Sequence, residues 1–130
     1  MAEEMDAETI AYAHRMFDLA RSGGTEELAG HLGQGLPANL TNDQGDTLLI
    51  LAAYHNHPPT VAALIAHGAD PARVNDRGQT ALAAAVFRRC AETVRMLLDA
   101  GADPDAGAPS ARETAAFYGL SEMNDLLRGA

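Results

Sequence analysis

Asn42-Asp43-Gln44-Gly45-Asp46-Thr47-Leu48-Leu49-Ile50-Leu51-Ala52-Ala53 and Asn75-Asp76-Arg77-Gly78-Gln79-Thr80-Ala81-Leu82-Ala83-Ala84-Ala85-Val86 are two copies of one pattern. Gly45 and Gly78, Thr47 and Thr80, and Gly68 and Gly101 are each separated by 33 residues. The two units also close alike, with His67-Gly68-Ala69-Asp70-Pro71 matching Ala100-Gly101-Ala102-Asp103-Pro104. A fixed period in this range marks a stacked array whose units bury their apolar faces on one another. Each unit carries apolar residues at helical spacing and no strand alternation, so the fold class is all-α.

The second repeat, 42–74, shows how a unit works. Gly45 sits in a turn that calls for a positive φ. Thr47 caps a first helix whose packing face is Leu49, Ala52 and Ala53. Asn56-His57-Pro58-Pro59-Thr60 turns the chain back, and Pro59 suits the first position of a second helix, where its missing N–H costs nothing. Val61, Leu64 and Ile65 form the next stripe, and Gly68 ends the helix in a left-handed residue. The third repeat, 75–104, reuses these devices through Gly78, Thr80, Leu82, Ala85, Val94, Leu97, Leu98 and Gly101.

The end repeats deviate, as they do when one side faces water. Residues 1–5 are expected to be disordered. A degenerate first repeat occupies about 6–41: Asp6 caps a helix with Ile10, Ala13, Phe17 and Ala20 on one face, and Thr25 caps a second that stops before Gly35. In the fourth repeat, 105–130, Ser110 lies 30 residues after Thr80, so the loop 105–109 is three residues short. Met123, Leu126 and Leu127 supply its last stripe.

These residues resemble the ankyrin-repeat family, whose pattern runs, in outline, D-x-x-G-x-T-P-L-H-x-A-A-x-x-G-H-x-E-x-V-x-x-L-L-x-x-G-A-D. The second repeat keeps Gly45, Thr47, Leu49, Ala52, Ala53, His57, Val61, Leu64, Ile65, Gly68, Ala69 and Asp70 of it. The third keeps Gly78, Thr80, Leu82, Ala85, Glu92, Val94, Leu97, Leu98, Gly101, Ala102 and Asp103. Leu48 and Ala81 replace the motif's proline, and Ile50 and Ala83 its histidine. That histidine normally ties neighbouring turns, so its loss predicts looser turns. The resemblance covers about 6–128, and the abbreviated fourth repeat looks like the last repeat of small bacterial ankyrin proteins. It implies an L-shaped solenoid of about four helix-turn-helix repeats, a role in binding another protein, and no catalysis or cofactor.

Composition narrows the partners. The 130 residues fit one domain, 6–130, with 47% apolar residues, much of that share alanine, and a net charge of −9. That charge disfavours nucleic acid and anionic membranes, which need a basic stripe. All nine basic residues are arginine, a bias typical of GC-rich bacterial genomes. One cysteine, Cys90, fits a reducing compartment and excludes an internal disulfide framework. No run reaches the roughly 20 apolar residues of a membrane span, and the acidic start lacks a signal peptide's basic region. The expected setting is cytoplasmic, with a free protein that is monomeric.

Carried onto this chain, the family's binding positions are the turn tips Asp43, Gln44, Asp46, Asp76, Arg77 and Gln79. The helix positions are Arg21, Tyr54, His55, Phe87, Arg88, Phe117 and Tyr118. Tyr54 and Phe87 are one period apart and Phe117 is their equivalent in the shortened repeat. An aromatic column beside Arg88 and Arg89 has the composition of an interface hot spot. The competing reading packs these rings on neighbouring turns, and leads for Phe117 and Tyr118, which would close the C-terminal end. Two other functions stay open. His55, His57 and Cys90 offer a metal- or thiol-dependent regulator, although no third metal ligand converges in the sequence. Exposed end repeats offer self-association into an assembly.

Overall fold

Eight helices follow one another in the computed structural model, which describes residues 7–129. They are α1 (Ala7–Ser22), α2 (Thr25–Gly33), α3 (Leu48–Tyr54), α4 (Pro58–Ala66), α5 (Ala81–Phe87), α6 (Ala91–Asp99), α7 (Ala111–Phe117) and α8 (Ser121–Arg128). The described residues contain isolated bridges, Thr41 with Thr47 and Gly107 with Ser110, but no strand. Residues 1–5 and Asp6, expected as a disordered start and a helix cap, lie outside the described residues.

Capping residues set the phase of the array. The hydroxyls of Thr47, Thr80 and Ser110 accept from the backbone N–H three residues on, at 3.0, 3.1 and 3.1 Å. Each satisfies a donor that the first helical turn leaves without a partner. Glu113 returns the favour to Ser110 by accepting its N–H at 2.8 Å, which completes a capping box. The helices so started have only seven residues, too few to hold alone in water. Packing sustains them: every residue of α3 except Tyr54, and of α5 except Phe87, is buried.

That packing forms two rows. α3 packs on α1 and α5, and α5 on α7, while α2, α4, α6 and α8 stack outside them. Outer helices bury one stripe only: Val61 and Leu64, then Val94 and Leu97, then Met123 and Leu127. α4 and α6 end alike. Ala69 N–H reaches the Leu64 carbonyl and Ala102 N–H the Leu97 carbonyl, both at 3.0 Å, around Gly68 and Gly101 with φ of 91° and 96°. One core runs unbroken from Met16 to Leu127.

Several details differ from expectation. Ile10 is exposed, and the buried face of α1 begins at Met16. Gly24, not Thr25, occupies the N-cap of α2; the Thr25 hydroxyl instead meets that of Thr60 at 2.7 Å, in the outer row. Pro58 rather than Pro59 opens α4. In place of the motif's histidine, other groups tie the turns together.

Candidate functional site

The repeated asparagine ahead of each turn organises its tip. Asn42 Oδ1 accepts from the N–H groups of Gln44 (2.9 Å) and Asp46 (3.0 Å). Asn75 Oδ1 does the same for Arg77 (3.0 Å) and Gln79 (2.9 Å). One side chain thus replaces two missing backbone partners in each turn. The Asn75 amide then donates to Asp46 Oδ1 at 2.8 Å, and Asp76 N–H donates to the Gln44 carbonyl at 2.9 Å, joining the two tips. Ala108 N–H continues the chain of ties by donating to the Gly78 carbonyl at 2.9 Å. The turns approach so closely that a Cβ on Gly45 would stand 2.7 Å from Asp76 Oδ1, and one on Gly78 2.9 Å from the Ala108 carbonyl.

This geometry divides the tip residues named from the sequence. Asp43, Gln44, Asp76 and Arg77 are exposed. Asp46 is a correction: at 5% exposure it lies inside the turn stack and is satisfied by Asn75 and Asn42. Gln79 is half-buried, with its Oε1 accepting from Asn75 and Arg77. Neither Asn42 nor Asn75 was expected to matter, although their recurrence ahead of both turn glycines was the available signal.

The opposite ends of the inner helices are unlike the tips. Tyr54, Phe87 and Tyr118 are 39%, 43% and 50% exposed, although the rest of α3 and α5 is buried. The Tyr54 and Phe87 rings lie 6.3 Å apart and 2° from parallel. Phe87 then meets Tyr118 edge-on at 5.6 Å, and Tyr118 meets Phe117 at 4.9 Å. Phe117 holds the helical position equivalent to Phe87, but Tyr118 continues the row. Phe117 is 80% exposed, so the reading in which it closes the end of the array fails. Small Ala83 and Ala84 leave a hollow of about 210 Å³ beneath the rings, bounded across by Gln79, Pro109 and Thr114. It adjoins a second hollow of about 530 Å³ around Pro109, Glu113 and Phe117. The N-terminal flank has its own, about 510 Å³, between α1 at Ile10, Phe17 and Arg21 and the first tip at residues 41–44.

Basic groups accompany the rings. His55 is exposed at the C-cap of α3, edge-on to Tyr54 at 5.2 Å. Partial burial, and then the charges of His57, Arg21 and Arg88, hold its pKa below the usual histidine value. Half-buried Arg21 pairs with Asp18 at 2.9 Å. Its carbonyl lies 2.7 Å from His57 Nε2, and since a carbonyl can only accept, that nitrogen carries the proton. His57 therefore clamps the end of α1 to the next repeat. Cys90, in the same register one repeat on, is half-buried with its Sγ 3.2 Å from the Thr93 hydroxyl. Among the described residues no three His, Cys, Asp or Glu side chains converge. No helix there is long and apolar enough to cross a membrane.

Comparison with known proteins agrees with this architecture. A family model described as ankyrin repeats, in three copies, matches residues 16–108. An ankyrin repeat protein of Pseudomonas aeruginosa is 53% identical over 58 residues, which make up 45% of this chain and 34% of that protein. The chain therefore matches about a third of the length of that relative.

Proposed function

This chain belongs to the ankyrin-repeat family, whose members generally bind other proteins, and we propose that it is a non-enzymatic protein-binding module, an adaptor, inhibitor or chaperone-like binder. The docking face comprises Tyr54, Phe87 and Tyr118, with Phe117 at its edge. Arg21, His55 and Arg88 flank the rings, and Asp43, Gln44, Asp76 and Arg77 form the polar rim. One array, 6–130, carries the face as a monomer until the partner arrives.

The observation that carries this reading is the row of half-exposed rings above a hollow floored by Ala83 and Ala84. Aromatic side chains exposed in register bring large contact area at low entropic cost, and interface hot spots are enriched in Tyr and Arg. The hollow gives an incoming apolar side chain somewhere to go. The metal or thiol reading draws no such support, because His57 is already engaged as a clamp.

Affinity capture from host lysate tests the proposal, comparing wild type with Tyr54→Ala/Phe87→Ala/Arg88→Ala. We expect a protein held by the wild type and lost from a variant that keeps its helical circular dichroism. Equal capture by a folded variant would move the site elsewhere.

A further inference from the structure

The loops joining each inner helix to its outer partner are residues 21–24, 54–57, 87–90 and 117–120. In a chain with twice as many acidic as basic residues, these loops hold Arg21, His55, His57, Arg88 and Arg89 and not one carboxylate. Stacking places the loops side by side, so the omission leaves a carboxylate-free strip along the ring row, whose positive charge comes from its arginines. Arg21 has Asp18 as a partner. Arg88 and Arg89 are exposed and form no ion pair among the described residues. Together with Phe87 and Tyr118 they line a hollow of about 370 Å³.

Arg89 adds a second, independent observation. The same loop position has a positive φ in every pair: Gly23 (80°), Asn56 (64°), Arg89 (59°) and Gly119 (64°). Glycine tolerates this and asparagine accommodates it, but a long side chain there costs about 1 kcal/mol or more. Strain of this kind is a pointer to use. Here it directs a second guanidinium beside Arg88, on the face where the rings are exposed.

We infer that the partner docks through an acidic segment that also carries an apolar or aromatic side chain, its carboxylates on Arg88 and Arg89 and its apolar group in the hollow among Phe87 and Tyr118. This rests on the docking face proposed above and adds the chemistry of what it takes. Guanidinium groups suit carboxylates through paired N–H donors. At physiological salt the Debye length is about 8 Å, so the near strip outweighs the net negative charge of the chain's far side. A nucleic acid fits less well, because its continuous run of phosphates calls for an extended basic stripe, and Arg88 and Arg89 are the unpaired arginines of these loops.

The test is selection from a phage library of random dodecapeptides on three baits: wild type, Arg88→Glu/Arg89→Glu and Tyr54→Ala/Phe87→Ala, each checked for fold by circular dichroism. We expect wild type to enrich peptides rich in Asp or Glu with a Phe, Leu or Trp. Synthetic copies should bind the charge-reversed bait at least about tenfold more weakly and weaken comparably at about 0.3 M salt. Peptides without acidic excess that are lost only from Tyr54→Ala/Phe87→Ala would overturn the acidic inference and leave the docking face standing. Peptides held equally by all three baits, or no enrichment on wild type, would overturn both. Displacement of the acidic peptides by an oligothymidylate at equal concentration would also overturn the inference, in favour of a phosphate ligand.

Discussion

The two ends of each inner helix treat their polar groups in opposite ways. At the tips, Asn42, Asp46, Asn75 and Gln79 bond to backbone and to one another, and the side chains that look most available for recognition are partly inside. At the other end, Phe87, Arg88, Arg89 and Tyr118 stand exposed, with no carboxylate nearby in the loops. A polar tip is therefore mainly a fastening, and the loop end is the surface with unused contact capacity. Residue type alone does not distinguish the two; hydrogen-bond satisfaction does.

The contrast breaks most sharply at the fastening. Asn75→Ala removes two turn bonds and leaves Oδ1 of the buried Asp46 carboxylate without the Asn75 amide, which should cost about 2–3 kcal/mol. For a chain of this size that lowers Tm by about 10 °C. Asp46→Ala should approach the same loss. Thermal unfolding of the two variants within about 2 °C of wild type would mean the tips are not what ties the turns.

Next comes the ring row. Tyr54→Ala and Phe87→Ala should each weaken partner binding by about 2 kcal/mol while costing less than about 1 kcal/mol of fold stability. The reverse proportion, stability lost and capture retained, would make the rings packing residues. Arg89→Gly sharpens the comparison from the other side, since it relieves the left-handed arginine. It should stabilise the fold by roughly 0.5–1 kcal/mol and weaken binding of an acidic segment. A Tm that fails to rise would show that the loop bears no strain there.

The smallest effect concerns His55. Its neutral form is favoured in the fold by partial burial, by His57 on its own loop, by Arg21 from the end of α1 and by Arg88 from the end of α5. With a folded pKa below the unfolded value, the stability linked to His55 is present above about pH 6.5 and lost as pH falls through the folded value. Arg88→Ala removes one of the positive neighbours, so the His55 ring protons, followed by NMR, should titrate at a higher pH. An unmoved midpoint would place Arg88 away from His55.

Much of the fold was legible because its determinants are local. Thr47, Thr80 and Ser110 cap, and Gly68 and Gly101 terminate, through bonds that reach only a few residues along the chain. What escaped depends on stacking. Asp43 and Asp46 are three residues apart and alike in chemistry, yet Asp46 is buried in the turn stack, where Asn75 of the next repeat bonds its carboxylate. In the ring row Tyr118 was named beside Phe117, but register along the chain puts Phe117 in the column, and only contact across repeats puts Tyr118 next to Phe87. Pro58 and Pro59 each satisfy the rule for a helix start, and the rule cannot rank them. The loss of the motif's histidine was visible, but not the Asp46–Asn75 bond that links the turns in this chain.

One paired measurement tests the central claim most directly: Tm and capture of the same host protein for Asn75→Ala and for Tyr54→Ala/Phe87→Ala, with capture assayed at a temperature where both variants are folded. A reciprocal result is expected, with stability lost and capture kept in the first, and capture lost with Tm nearly unchanged in the second. If Asn75→Ala abolishes capture while melting like wild type, the tips are the binding surface and not a fastening.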